Sequence, residues 1–93
     1  MGDEAAEAAD LIGREVVVDT RSAFLYLGRL KRWGEAFVEL GDCDVHDSQQ
    51  GRSTKETYAM ESARDGVRHN RRRVLIRKAE VISVSALEDV IVF

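Results

Sequence analysis

The sequence predicts an all-β domain, or a small α+β domain in which strands dominate and one helix precedes them. Five short runs of β-branched and aromatic residues are separated by polar or glycine-containing segments. A chain of 93 residues with 44% hydrophobic content can bury one core and is too short for two. We therefore expect a single domain over residues 1–93.

The first twelve residues predict the helix. Asp3 to Asp10 is rich in alanine and in acidic residues, which favour the positive end of a helix. Gly13 is expected to end it. The β-branched run Glu15 to Asp19 then predicts the first strand, and the polar residues 20–22 predict the turn of a hairpin.

The second strand is predicted over Ala23 to Arg32, where aromatic and aliphatic residues alternate with others. Gly28 lies inside it, and a glycine in a strand interior indicates a sharp bend or a close approach of two backbones. Both are needed when one strand serves two sides of a small barrel. The turn Trp33-Gly34-Glu35 ends this strand.

The third strand is predicted over Ala36 to Val45, with Val38, Leu40 and Asp42 on one face. Residues 47–70 then predict a long excursion. Its first part has the composition of a loop, while Ser53 and Glu56 match a capping box and Gly66 supplies a stop, which favours a helix over residues 54–65. The apolar stripe of that segment is weak, so an irregular excursion or extensions of the strands remain alternatives.

Two further strands are predicted near the C-terminus, Arg71 to Arg77 and Glu80 to Leu87, separated by Lys78-Ala79. In the second of these, Ile82, Val84 and Ala86 are expected on an apolar face, with Val81, Ser83 and Ser85 on a mixed face. The apolar tail, residues 89–93, predicts a last strand segment or an anchor against the barrel or a neighbour.

Charge is unevenly distributed. The window Arg64 to Lys78 contains seven of the 14 basic residues and one of the 17 acidic residues. This pattern indicates a local anion contact and not a domain that coats nucleic acid. The acidic N-terminus does not match a secretory signal and no apolar run is long enough to span a bilayer, so we expect a cytoplasmic protein without a membrane partner.

No catalytic or cofactor-binding motif stands out, and we predict neither enzyme activity nor a cofactor. The run Asp42 to Asp47 gathers a thiol, an imidazole and carboxylates. However, Cys43 and His46 are three positions apart and should face opposite sides of a strand, which argues against a catalytic pair or a metal site and favours a solvated strand end.

Three stretches of the sequence resemble the Sm-like (LSm) family. Leu11 to Val18 is similar to the entry into that family's first strand, and Tyr26-Leu27-Gly28-Arg29-Leu30 to the core of its first motif. Val74-Leu75-Ile76-Arg77-Lys78 followed by Val81 to Ser85 is similar to the second motif. The resemblance spans nearly the whole chain and implies a strongly bent, five-stranded antiparallel open barrel of the Sm-like or SH3-like type, in a divergent bacterial member.

The resemblance also implies binding to RNA, and here the sequence departs from the family. The Asp and Asn that contact a base after the second strand are missing from Trp33 to Val38, and Lys78 replaces a glycine after Arg77. The basic turn can still attract phosphate. The candidate RNA-binding residues are Trp33, Phe37, Arg71, Arg72, Arg73, Arg77 and Lys78.

Each candidate has a plainer explanation. Trp33 and Phe37 can stack on bases, yet such residues more often pack in a core or turn. Arg71, Arg72 and Arg73 can bind RNA or simply keep a strand edge soluble. Tyr26 is expected to be a half-buried strand residue.

Family members assemble edge to edge into rings, which implies a homo-oligomer of about six or seven copies with two strand edges satisfied at each interface. The implied interface residues are Val74, Leu75, Ile76, Val81, Ile82, Ser83 and Val84. The alternative function is a protein-interaction or scaffold barrel that does not bind RNA, with a partner protein contacting the excursion or the tail.

Overall fold

One antiparallel sheet forms the body of the molecule, described by a computed structural model over residues 6–51 and 53–93. Its strands are β1 (Glu15–Thr20), β2 (Phe24–Trp33), β3 (Phe37–Asp47), β4 (Arg71–Arg77) and β5 (Val81–Ala86). They lie in the order β4-β3-β2-β1-β5. Helix α1 (Lys55–Asp65) lies between β3 and β4 in the chain. The five predicted antiparallel strands are confirmed.

The sheet buries apolar side chains on both faces. On one face, Val16, Val18 and Leu30 belong to a buried cluster completed by Val38, Leu40, Cys43 and Ile76, which we call the barrel core. On the other face, Val17, Leu25 and Leu27 pack with Ala59 of α1 and with Leu87. The valines of β1 are thus buried on both faces of the sheet, which explains why three apolar residues follow one another in the sequence of this strand.

The strands bend where β2 passes β3. A Cβ atom at Gly28 would lie 2.5 Å from Cβ of Cys43 and 2.9 Å from its Cα. Opposite this point β3 carries an extra residue, and Asp42 adopts a positive φ of 44°. This is the geometry of a β-bulge, which bends a strand and increases its twist. The predicted close approach at Gly28 is confirmed.

The bulge changes which residues face the core. Val38 and Leu40 point into the barrel core as predicted, but beyond Asp42 the alternation shifts by one, so that Cys43 points inward and Asp42 is exposed. The expectation of a solvated strand end at residues 42–47 is wrong for Cys43 and Asp44, which are both buried.

A second irregularity corrects the prediction for β5. Asp19 pairs with Ser83 and Thr20 with Val81, which leaves Ile82 as an extra residue. Ile82 is 61% exposed instead of lying on the apolar face, while Val81 packs on the barrel core together with Val84. Register shifts of this kind move a side chain to the opposite face.

The excursion between β3 and β4 contains the helix that the sequence favoured. Its N-cap is Thr54 and not Ser53, because the Thr54 hydroxyl accepts a hydrogen bond of 3.1 Å from the Thr57 amide. Gly66 ends the helix with φ of 97°, as predicted. Strand β3 also extends two residues beyond its predicted end, to Asp47.

The expected N-terminal helix is largely absent from the described residues. Only residues 6 and 7 are helical, a single 3-10 turn spans Ala9–Leu11, and residues 1–5 of the prediction lie outside the described residues. Leu11 packs on the barrel core and the Gly13 amide donates to the Leu30 carbonyl at 2.7 Å. Because these contacts draw the chain onto β2, a regular helix cannot continue to Ile12.

The C-terminal tail forms no strand. A 3-10 turn spans Leu87–Asp89, and Leu87 and Val90 hold this segment against the outer cluster. Beyond them Phe93 is 98% exposed. Within the described ranges, none of the helices has the length and apolar character required to cross a membrane.

Replacing Gly28 by Ala should lower the free energy of unfolding by about 1–3 kcal/mol, because the added methyl group collides with the β3 backbone at Cys43. Urea denaturation followed by circular dichroism measures this. Gly51→Ala is the matched control, since a Cβ there meets its nearest atom at an ordinary 3.5 Å. Equal stability of the two variants would contradict the close approach.

Candidate nucleic-acid interface

Two chain connections meet at one end of the sheet. The first joins β2 to β3, where the Gly34 amide donates to the Phe37 carbonyl at 2.9 Å. A Cβ at Gly34 would lie 2.8 Å from that same carbonyl oxygen, so this tight turn favours glycine. Trp33 and Phe37 therefore flank the turn at the ends of adjacent strands.

The second connection follows β4. Arg77 is the register partner of Phe37, and the Lys78 amide donates to the Ala36 carbonyl at 2.8 Å. A 3-10 turn over Lys78–Glu80 then leads directly into β5. The basic turn is thus fixed beside the aromatic turn by backbone hydrogen bonds, independently of side-chain contacts.

Four of the predicted RNA-binding residues come together here, and we call them the aromatic–cation cluster: Trp33, Phe37, Arg77 and Lys78. The Arg77 guanidinium lies 5.5 Å from the centre of the Phe37 ring, and Lys78 Nζ lies 5.7 Å from that of Trp33. Lys78 Nζ also donates to the Gly34 carbonyl at 3.0 Å. Such cation–π contacts hold positive charge against an aromatic face.

The two aromatic rings differ in their surroundings. Trp33 is half-buried and packs against the barrel core, in agreement with its plainer explanation as a packing residue. Its indole N–H is buried and has no acceptor among the described residues. Phe37 is half-buried beside the exposed Arg77. The exposed cation of the cluster is therefore the one on the Phe37 side, whereas Lys78 beside Trp33 is half-buried.

The other three candidate arginines lie at the opposite end of β4 and are not brought to the cluster. Arg73 donates to Glu39 at 2.8 Å, and this hydrogen bond holds the pKa of the Glu39 carboxyl below its ordinary value. Arg71 donates to the Asn70 carbonyl at 3.0 Å. Arg72 is exposed. Their assignment to RNA stays a prediction.

The predicted interface strands, β4 and β5, are the two edges of the sheet. Several of their side chains serve the chain's own core: Ile76 is buried, and Val74, Val81 and Val84 pack against it. Leu75 and Ile82 are 41% and 61% exposed. What the edges offer a second chain is thus mainly backbone N–H and C=O groups.

Sequence reasoning missed a polar cluster under α1. The Tyr58 hydroxyl donates to the buried carboxylate of Asp44, to which Asn70 Nδ2 also donates at 2.9 Å. The His46 ring stacks on Tyr58 with centroids 3.8 Å apart. These residues come from β3, α1 and the segment before β4. Only a prediction of the path of residues 47–70 would therefore have shown that they lie close together.

Cys43 lies in the barrel core, where burial raises the pKa of its thiol. A protonated, buried thiol behaves as a small apolar side chain and not as a nucleophile. Across the described ranges, three or more His, Cys, Asp and Glu side chains nowhere gather closely enough to hold a metal ion.

Solved structures of archaeal Sm proteins share this fold. The Pyrococcus abyssii Sm protein, solved in complex with a uridine heptamer, superposes with a TM-score of 0.60 at 19% identity, covering 87% of this chain and 93% of that one. A heptameric archaeal Sm protein superposes with a TM-score of 0.58 at 21% identity, and the match covers 87% of this chain and 96% of that one. The Methanococcus vannielii SmAP (LSm) protein gives 0.58 at 16% identity, covering 91% and 96%.

No family model matches the sequence, and no curated protein matches it either. At these identities the structural likeness establishes the Sm fold, and the chain's own residues must carry any argument about function.

The polar cluster under α1 gives a test of how the excursion is held. Replacing Tyr58 by Phe should lower the free energy of unfolding at neutral pH by about 1.5–3 kcal/mol, because a hydrogen bond to a buried carboxylate is lost. Chemical denaturation measures this. Tyr26→Phe is the control, since the Tyr26 hydroxyl makes no hydrogen bond to another described residue, and an equal loss in both would contradict the assignment.

The same hydroxyl predicts a pH dependence. Burial and the Asp44 carboxylate raise the pKa of Tyr58 to about 12 from its ordinary 10.0, so the folded state favours the protonated phenol. The protonated Tyr58 hydroxyl therefore makes its full contribution to the free energy of unfolding below pH 10. This contribution is lost as the pH rises toward 12. Thermal unfolding between these values should show a shallower decline for Tyr58→Phe than for the wild type, and parallel declines would refute the linkage.

Proposed function

We propose that copies of this chain assemble edge to edge into a ring, and that the aromatic–cation cluster of each copy binds single-stranded RNA at the pore. The observation that carries the proposal is the convergence of Trp33, Phe37, Arg77 and Lys78 at one end of an Sm fold. The uridine complex and the heptameric state of the archaeal structures support it by analogy.

The open edges support assembly. Strands β4 and β5 are each paired on one side only within the described residues, which leaves two rows of backbone groups available. Pairing β4 of one copy with β5 of the next satisfies both rows, and a head-to-tail arrangement removes every free edge when the ring closes. The exposed side chains of Leu75 and Ile82 would then be covered in part.

The chemistry of the cluster supports binding to phosphate and to base faces, with little discrimination among bases. Arg77 and Lys78 supply donors and charge for phosphate, and the Phe37 ring or the Arg77 guanidinium plane offers a stacking surface. The connecting residues 34–36 carry no amide side chain to read a base edge. We therefore infer a preference for single strands that tolerates sequence.

A second function is favoured by the C-terminal tail. Ile91, Val92 and Phe93 are 70%, 43% and 98% exposed, an apolar stretch that suits contact with a partner protein. A scaffold barrel without RNA binding would contact its partner through this tail and would bind no ligand at the aromatic–cation cluster. The cytoplasmic location and bacterial source expected from the sequence stay predictions, as does the absence of enzyme activity.

The first test is the size of the particle. Light scattering coupled to size-exclusion chromatography at micromolar concentration should give a mass several times the 10.4 kDa of the chain. A stable monomer under these conditions would contradict the proposed ring and therefore also the proposed RNA site at its pore.

The second test concerns RNA. Binding of short U-rich and A-rich RNAs should weaken with salt, and Arg77→Ala/Lys78→Ala should lower the slope of log K against log salt by up to about 1.4 per subunit engaged, since each phosphate contact in a single strand contributes about 0.7. Fluorescence anisotropy across a salt series measures this slope.

Arg21→Ala/Lys31→Ala is the matched control, because it removes two exposed cations outside the cluster. An intact ring that binds neither RNA at low salt would favour the scaffold function instead. Equal slopes for the two double variants would place RNA elsewhere on the surface.

A further inference from the structure

The N-terminal part of the chain is strongly acidic. Residues 1–10 contain four carboxylates and no lysine or arginine. Three of these carboxylates belong to Asp3, Glu4 and Glu7, and we call residues 3–7 the acidic segment. The RNA site proposed above gives these residues no role.

The described end of the acidic segment lies beside one aromatic ring of the aromatic–cation cluster. A groove of about 290 Å³ is lined by Glu7, Ala8, Leu11, Trp33 and Val84. Ala8 is buried and Leu11 packs on the barrel core, whereas Glu7 is exposed. The two apolar contacts hold this part of the chain in place and leave the Glu7 carboxylate at the surface of the groove.

The cations of the cluster lie around the same ring. Lys78 Nζ is 5.7 Å from the centre of the Trp33 ring, and Arg77 precedes Lys78 in the chain. Residues 3 and 4 are at most four positions from Glu7, and an extended chain spans at most about 3.6 Å per residue, so their backbone is within about 14 Å of Glu7. Because the Debye length is about 10 Å at 0.1 M salt, charges at this range act on the cluster.

We propose that the acidic segment screens the aromatic–cation cluster and competes there with the phosphates of RNA. Carboxylates and phosphates are alternative anionic partners for the same arginine and lysine side chains. RNA therefore binds only as far as it displaces the acidic segment. This inference rests on the proposed RNA site and adds the regulation of that site.

The local balance of charge supports the competition. The two connections that carry Arg77 and Lys78 also carry Glu35 and Glu80, and both glutamates are exposed. Two cations and two carboxylates cancel in formal charge, so three further carboxylates make the region negative. In water, each carboxylate about 8 Å from an incoming phosphate lowers its affinity by roughly twofold.

The Trp33 indole gives a second indication. Its N–H is buried and has no acceptor among the residues that the structure describes. A buried donor without an acceptor costs free energy, so an oxygen atom that reaches it stabilises the chain. The acidic segment leads into the groove that Trp33 lines and carries carboxylate oxygens suited to this N–H.

RNA binding tests the competition. The N-terminal variant is Asp3→Asn/Glu4→Gln/Glu7→Gln in the full chain. It should bind a short U-rich RNA at least about threefold more tightly than the wild type at about 50 mM salt, and the gain should shrink toward about 0.5 M. The gain should be lost when Arg77→Ala/Lys78→Ala is also present, because the carboxylates act on those cations. Fluorescence anisotropy measures each affinity.

Glu56→Gln/Glu61→Gln/Asp89→Asn is the matched control. Like the N-terminal variant, it removes three carboxylates and raises the formal net charge from −3 to 0. Its three exposed residues lie on α1 and in the turn after β5, which pack on the other face of the sheet. Its RNA affinity should differ from that of the wild type by less than about 1.5-fold. Circular dichroism checks that both variants fold.

A measurement without RNA locates the carboxylates. Trp33 is the only tryptophan of the chain, so its fluorescence reports on the cluster. Iodide is an anionic quencher, and its quenching constant should be at least about 1.5-fold higher in the N-terminal variant than in the wild type, because a negative local field excludes anions. Neutral acrylamide should quench both chains equally, which controls for a change in the exposure of the ring.

The outcomes separate this inference from the RNA site itself. Unchanged iodide quenching, or equal tightening of RNA binding in the N-terminal and control variants, would overturn the competition and leave RNA binding in place. Raised iodide quenching with unchanged RNA affinity would overturn it as well. If neither the wild type nor the N-terminal variant binds RNA at low salt, the proposed RNA function fails and the competition fails with it.

Discussion

Strands β2 and β3 can follow one another around the barrel core only because residue 28 has no side chain. The backbone of Cys43 occupies the space that a Cβ at Gly28 would need, and the extra residue at Asp42 turns β3 over at the same level. The bend lets one sheet of five strands enclose the barrel core. Helix α1 then covers only the outer face, beside β1 and β2.

At one end of β3, antiparallel pairing with β4 brings the turn after β2 next to the end of β4. Phe37 opposes Arg77, and the Lys78 amide reaches the Ala36 carbonyl. The aromatic–cation cluster is therefore a product of strand register and does not depend on weak side-chain attraction. At the other end, the inward turn of Cys43 places Asp44 below α1, where Tyr58 and Asn70 hydrogen-bond to its carboxylate. Strand register at the two ends of β3 thus positions a surface cluster and a buried polar cluster.

Most of the sheet could be predicted from the sequence, because short β-branched runs and turn residues are local signals. The bend at Gly28 could be predicted for the same reason. The faces of β3 beyond Asp42 and of β5 at Ile82 could not, since each depends on one extra residue relative to a neighbouring strand. Alternation within one strand carries no information about that neighbour. The end of the predicted N-terminal helix could not be predicted for a related reason: among the described residues regular helix is confined to residues 6 and 7, and contacts of Leu11 and Gly13 with distant residues replace it further along.

The candidate site shows the same division between local and distant information. The basic window from Arg64 to Lys78 was visible as composition, but only the structure separates its members. Arg64 pairs with Asp65 and Arg73 with Glu39, so these two charges are largely satisfied within the chain. Arg77 and Lys78 lie against aromatic rings at one end of β4, about 20 Å from Arg71 at the usual rise of a strand. A single basic segment therefore separates into two positive sites, one at each end of β4.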